Sequence, residues 1–152
     1  MDNFDIQTLI IQEAFHLAIA TVIALYIWKR YRKWWLVLLV FFFGFFIDID
    51  HGMDYWLATG VNFNLDQFWN VDFYCWPGAF HILLHSPEFL IVLWLIKPLR
   101  KNGVALAITL AMLGHIGFDM MSNDVPWYTY SFFYRLYASF DLNILLGIPC
   151  GV

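Results

Sequence analysis

The chain has 152 residues, the length of one domain, yet 62% are hydrophobic and only 13% charged, against roughly 45–50% and 25% in soluble domains. A globule this small exposes too much surface to hide so many apolar side chains, which excludes a water-soluble monomer, disorder, collagen and coiled coil. The net charge of −4 excludes a basic nucleic-acid module, so no nucleic-acid partner is expected.

The composition predicts an all-α integral membrane protein: one domain over 1–152, a bundle of four to five transmembrane helices with an aromatic-rich outer loop. The N-terminus, Met1-Asp-Asn-Phe-Asp5, is acidic and lacks the basic start of a signal peptide, so the first helix is expected to stay. Predicted helices run over about 8–28, 34–51, 79–97, 103–121 and 130–149. The last is the weakest, because Arg135, Asp141, Asn143 and Pro149 interrupt it; it reads as a tilted span, or as an interfacial helix followed by a short buried one. Cys75 and Cys150 lie far apart with no C-x-x-C spacing, which indicates neither a disulfide framework nor a thiolate zinc site.

Seven of the eight Lys and Arg fall in two clusters. Lys29, Arg30, Arg32 and Lys33 separate helices one and two, and Lys97, Arg100 and Lys101 separate helices three and four. The positive-inside rule makes both loops cytoplasmic and leaves Gly52–Gly78 and Ser122–Tyr130 on the outer side. Gly52–Gly78 interleaves aromatic rings with Asn and Asp, which suits a lid at headgroup level. Asp54, Asp66 and Asp72 read there as solvated loop residues.

The informative residues are those a membrane helix avoids. Asp48, Asp50 and His51 close helix two as D-x-D-H; His81 and His85 open helix three, followed by Ser86-Pro87-Glu88. His115 and Asp119 close helix four as H-x-x-x-D, and Glu13 and His16 lie in the outer half of helix one. On this topology all four clusters reach a similar depth near the outer leaflet and are expected to meet. His81/His85 and His115/Asp119 are spaced i,i+4 and Glu13/His16 i,i+3, so each pair shares a helix face. Ser86-Pro87-Glu88 fits a capped helix start, leaving His81–His85 on a separate turn, or else a kink at Pro87 within one long helix. An ionised Asp at bilayer depth costs roughly 2.5–3.5 kcal/mol, so Asp48, Asp50 and Asp119 buried without compensation approach about 10 kcal/mol. No Lys or Arg neighbours them in sequence, and a divalent cation is the simplest compensation.

These motifs resemble a family of membrane-bound, metal-dependent hydrolases that includes the LexA-binding inner-membrane proteins of bacteria. That family shows a His in its first helix, then P-D-x-D-H, H-R-G-x-T-H-S and G-x-x-x-H-x-x-x-D, often followed by V-P. His16 fits the first, Ile47-Asp-Ile-Asp-His51 the second with Ile for Pro, and His81-Ile-Leu-Leu-His85-Ser86 the third. Ala111-Met-Leu-Gly-His115-Ile-Gly-Phe-Asp119 fits the fourth with Ala for the first Gly, and Val125-Pro126 follows. The third motif is one residue short between its histidines and lacks Arg-Gly, so its match is carried by His85-Ser86. The resemblance implies a prokaryotic inner-membrane hydrolase whose substrate it does not fix.

The leading expectation is therefore metal-activated hydrolysis of a phosphoester or ester in a lipid, with membrane lipids as partners and the site on the extracytoplasmic side. Asp48, Asp50, His51, His85, His115 and Asp119 would ligate the metal, with His81 and His16 as additions. Imidazole and carboxylate donors without thiolate suit zinc best, manganese or iron next, as one ion or two. Glu88 or Glu13 would act as general acid or base. The competing readings are a divalent-ion or proton transporter, a haem-binding bundle, and a non-catalytic scaffold stabilised by its metal.

Overall fold

The computed structural model describes residues 6–60, 64, 68, 81–122 and 126–147. Among them every regular element is helical. In chain order these are α1 (Ile6–Tyr31), α2 (Trp34–Gly44), a 3-10 turn (Phe46–Asp48), α3 (Ile49–Thr59) and a 3-10 turn (Leu83–His85). Then come α4 (Glu88–Leu95), α5 (Lys97–Lys101), α6 (Val104–Ser122), a 3-10 turn (Trp127–Tyr130), α7 (Phe132–Tyr137) and α8 (Leu142–Leu146).

Two described helices, rather than the expected four or five, are long and apolar enough to cross a membrane: Ile10–Tyr31 and Val104–Ser122. Trp34–Gly44 with Phe46–Leu57 makes a third if the broken pair counts as one span. The expected helix over 79–97 fails for a local reason. Ser86 is extended and Pro87 has no N–H to donate, so the regular helix starts only at Glu88 and stops at Leu95. Its 8 residues reach about 12 Å, well short of a hydrocarbon core of about 30 Å. The predicted helix over 130–149 breaks where Ser139 and Phe140 take left-handed φ of +53° and +58°, which leaves helices of 6 and 5 residues. The aromatic loop falls mostly on 61–63, 65–67 and 69–80, outside the described residues, as do Asp66, Asp72 and both cysteines.

The chain forms two compact units. One consists of Gln7–Ile47 and Pro87–Asp124, and is called the span unit here because it holds α1, α2, α4, α5 and α6. Its core is built from stripes of small and branched residues one turn apart: Ala20, Ala24 and Ile27 on α1, Leu36, Val40 and Gly44 on α2, Ala107 and Ala111 on α6. Gly44 allows the closest approach; a Cβ there would stand 3.3 Å from the Ala20 Cβ and 3.4 Å from the Ala111 Cβ. The opposite faces are apolar too, with Val22 and Leu25 more than 60% exposed, as a lipid-facing helix requires. Gly103, at φ +88°, lies under the Tyr31 ring, so the Lys29–Lys33 and Lys97–Lys101 clusters share one end of this unit.

The second unit comprises Met1–Ile6, Asp48–Ser86 and Val125–Val152. Tyr55, Ile82, Ala138, Leu142 and Leu145 are buried together at its core, with Phe68, Tyr134 and Leu146 against them. The Tyr55 hydroxyl donates to the Asn64 carbonyl and accepts from the Asn64 N–H. The Thr129 hydroxyl donates to the Leu145 carbonyl, tying the Trp127–Tyr130 turn to α8. We call it the turn unit.

Candidate metal centres

In the span unit the buried stripes end in polar residues. His16 lies one turn before Ala20 on α1, and His115 and Asp119 continue the Ala107–Ala111 stripe on α6. The faces that pack α1 against α6 therefore also bring these side chains together. Gly114 makes the approach close enough: a Cβ there would lie 2.9 Å from the side chains of both Ile19 and Ile23. The two carboxylate oxygens of Asp119 then divide between the imidazoles. His16 Nε2 stands 3.1 Å from Oδ1, and His115 Nε2 stands 3.2 Å from Oδ2. The rings stack with centroids 3.9 Å apart and planes inclined by 22°, and Phe118 closes on the His16 edge. All three residues are buried, and one ligand atom from each lies within 4.8 Å of the other two. His16 Nδ1 meets no hydrogen-bond partner among the described residues. The triad sits fifteen residues along α1 from Tyr31 and Asp119 fifteen residues along α6 from Val104, about 22 Å from the basic end.

The turn unit holds a second triad with the same donors. Asp48 and His51, one turn apart at the start of α3, meet His85 from the Leu83–His85 turn, again with one atom of each within 4.8 Å of the others. His85 Nε2 is 3.2 Å and His51 Nε2 3.5 Å from Asp48 Oδ1. Asp50 stands on the other side of the His85 ring. Its Oδ2 is 3.0 Å from Nδ1 and accepts the Leu84 N–H at 2.9 Å. A carboxylate on Nδ1 fixes that nitrogen as the N–H, which leaves Nε2 as the lone-pair donor facing Asp48 and His51. Asp50, expected as a ligand, thus meets the far nitrogen of His85 through Oδ2 and stands outside the Asp48–His51–His85 group. Burial alone would push the His85 pKa down, but hydrogen bonds to and the charges of Asp48 and Asp50 outweigh it and raise it to about 9 in the metal-free chain.

Asp54, one turn beyond Asp50, was expected in solvent and is instead buried. It accepts the N–H of His81 at 2.7 Å and of Ile82 at 3.1 Å, and its Oδ1 faces His81 Nδ1 at 3.4 Å. These bonds hold Ile82 at φ +28°, a strained conformation for a β-branched residue, and so set the backbone that delivers His85. No family model, curated protein or solved structure matches the chain.

Of the expected ligands, His16, His115 and Asp119 come together, and so do Asp48, His51 and His85, each set within its own unit. His81 does not join a triad; it pairs with Asp54 and packs its ring against Phe140. Glu13 is half-buried on α1 and Glu88 begins α4, and neither belongs to a triad. Ser86 does not cap α4; its hydroxyl accepts from the fully buried Arg135 guanidinium instead. Arg135 and Asp54 escaped the sequence reading. Asp54 could have been found from its i,i+4 spacing to Asp50, and Arg135 from being the one cation outside both basic clusters.

Each triad can hold a divalent ion. Two imidazoles and one carboxylate, without thiolate, form a donor set used by zinc and by non-haem iron. Among the described residues each triad offers three ligand atoms, one fewer than a tetrahedral zinc ion takes.

Proposed function

We propose that the chain is a membrane-embedded, metal-dependent hydrolase of a phosphoester or ester in a lipid, with zinc the favoured ion and one ion in each triad. The observation that carries this reading is the recurrence of one donor set, two imidazoles and one carboxylate, in both compact units. Its order along the chain is also the order of the family motifs, from His16 through Asp-x-Asp-His51 and His85-Ser86 to His115-x-x-x-Asp119. A bound divalent ion supplies Lewis-acid activation of water and of the substrate oxygen.

The protein groups supply orientation and proton traffic. Asp50 holds the His85 tautomer, and Asp54 holds the turn that presents it. In the span unit the apolar stripes exclude bulk water, which strengthens every electrostatic interaction of the buried triad. Glu13, one turn from His16 on α1, takes the proton from the attacking water, and Glu88 returns one to the leaving alkoxide. The water oxygen bonds to phosphorus or to the carbonyl carbon, the bond to the alkoxide oxygen breaks, and an acid and an alcohol result. We place the basic end of the span unit in the cytoplasm and the chain, as a multi-pass protein, in a prokaryotic inner membrane. The span-unit triad then lies toward the extracytoplasmic side.

The test is purification in detergent, metal analysis, and hydrolysis assays on phosphatidyl lipids, lipid phosphates, carboxylic esters and p-nitrophenyl phosphate. Stoichiometric zinc with turnover, lost in Asp48→Ala and in His115→Ala, is the expected result. Variants that keep both full metal content and full activity would overturn the reading. Zinc flux into liposomes without turnover would replace it with transport.

A further inference from the structure

We infer that the span unit binds one anionic phospholipid, with an acyl chain in a groove between α1 and α2 and the headgroup phosphate on Arg32 and Lys33. The groove has a volume of about 360 Å³. Thr21, Ala24, Leu25 and Trp28 line it from α1, and Trp34, Val37, Leu38 and Phe41 from α2. Each set follows i, i+3, i+4, i+7, so each is one continuous stripe along its helix. The Thr21 hydroxyl donates to the Leu17 carbonyl at 2.7 Å, which leaves that wall apolar in character. Ala24 is buried and small, while Leu25, Trp34 and Leu38 stand more than half exposed. From Thr21 to Trp28 the stripe runs about 10 Å, roughly two-thirds of one leaflet of a hydrocarbon core. Volume over length gives a mean width of roughly 6 Å, which admits an acyl chain but not a helix about 10–12 Å across.

Charge at the groove's end selects the headgroup. Trp28 and Trp34 end the two stripes on either side of the turn that joins the helices, where Arg32 and Lys33 lie. Arg32 takes a left-handed φ of +54° and its N–H donates to the Trp28 carbonyl at 2.9 Å, which keeps this turn tight. The Arg32 guanidinium stands 5.9 Å from the centre of the Trp28 ring, so one indole both walls the groove and seats a cation. No Asp or Glu occurs between Glu13 and Asp48, or between Glu88 and Asp119, yet both basic clusters fall within those stretches. A lipid phosphate brings the complementary charge at the depth where indole rings sit in a bilayer. A second copy of the chain would instead bring the same cations, and a zwitterionic lipid carries its own compensating ammonium.

The site rests on insertion of the span unit in a bilayer and not on hydrolysis. The full chain in detergent is mixed with equimolar phosphatidylglycerol and phosphatidylcholine, and bound lipid is read by native mass spectrometry. One phosphatidylglycerol per chain is the expected result. Each cation near a headgroup is worth roughly fivefold in affinity, so the preference should be about 25-fold in wild type and near unity in Arg32→Gln/Lys33→Gln. Lys97→Gln/Lys101→Gln removes equal charge outside the groove lining and should keep the preference. Thr21→Phe places a ring in the groove from an exposed position and should lower retention of both lipids roughly threefold or more. Equal retention of the two lipids by wild type overturns the proposal, as does an unchanged preference in Arg32→Gln/Lys33→Gln. An equal loss in Lys97→Gln/Lys101→Gln overturns it in favour of diffuse surface charge, and a lipid-free dimer in favour of a second copy. If Arg32→Gln/Lys33→Gln does not fold, unchanged retention in Thr21→Phe overturns it. An inactive chain that retains the lipid sinks only the hydrolase, and an active chain that ignores it sinks only this site.

Discussion

Asp119→Asn tests the span-unit triad most directly. Asp119 serves His16 with one oxygen and His115 with the other, at 3.1 and 3.2 Å. The amide keeps the shape and one oxygen, but removes the charge and turns a donor toward one imidazole. Losing one charge-assisted hydrogen bond costs about 1.5–3 kcal/mol. At roughly 2–4 °C per kcal/mol for a chain of this length, the metal-free variant should melt about 3–12 °C below metal-free wild type. The metal effect is separate. Each site adds about 2.7 kcal/mol when zinc is at a hundred times its Kd, so wild type should gain two such increments and the variant one. Scanning fluorimetry in detergent with chelator or zinc, alongside elemental analysis, measures both. Two zinc ions per wild-type chain and one per variant chain is the expected outcome, because the Asp48–His51–His85 set is complete without residue 119. A variant that retains both ions and the full zinc-induced shift refutes the span-unit triad; one that loses both ions refutes its independence.

Asp50→Asn should weaken zinc at the turn-unit triad about 10- to 100-fold, the usual cost of removing a carboxylate that orients a ligating imidazole, while span-unit zinc is retained; competition with a zinc-binding dye reads this. Gly114→Leu drives a side chain into Ile19 and Ile23 and separates α1 from α6, so it should cost about 1–3 kcal/mol and abolish span-unit zinc; retention of two ions counts against the packing argument. His85 titrates near 9 in the metal-free fold, above its ordinary value of 6.5, so its protonation stabilises the fold fully below about pH 6.5 and is lost as pH rises through 9. Zinc needs the neutral ring, so turn-unit affinity should climb about tenfold per pH unit across that window, and a flat titration in the Asp119→Asn background would sink the assignment.

Much of the span unit was legible in the sequence, because its helices are set by apolar length and by stripes one turn apart, both visible in one dimension. His115 and Asp119 sit in register with Ala107 and Ala111, and His16 with Ala20 and Ala24, so membership of the packed face could be read directly. The turn unit was not legible in the same way. Its short helices are fixed by Ser131 and Asp141 caps, by left-handed residues and by Asp50 and Asp54 accepting backbone N–H groups some thirty residues away. Hydropathy alone reads Phe132–Leu146 as a tilted span, whereas the Arg135, Asp141 and Asn143 that interrupt it favour the alternative of two shorter helices, which capping produces. Spacing gave His81 and His85 one face, but a 3-10 turn entered through a strained Ile82 sends His85 to Asp48 and His81 to Asp54.

The same donor set is reached by two different backbone routes, and this argues for the chemistry more strongly than either site alone. In the span unit a helix supplies His115 and Asp119 at i,i+4, and a second long helix adds His16; in the turn unit Asp48 and His51 come at i,i+3 and a short 3-10 turn adds His85. Packing alone would not select this. A buried carboxylate facing two imidazoles is costly where apolar residues would pack as well, and removing any member leaves polar atoms exposed to a low-dielectric interior. A divalent cation converts that liability into coordination, since it balances the carboxylate and uses the imidazole lone pairs. If packing were the only constraint, substituting the His16, His115 and Asp119 set together by Leu, Leu and Ala should leave the span unit as stable in chelator as wild type. The metal reading expects that triple variant to gain in stability when chelated and to lose the zinc-dependent increment entirely, an outcome that melting curves with and without zinc separate from a purely structural role.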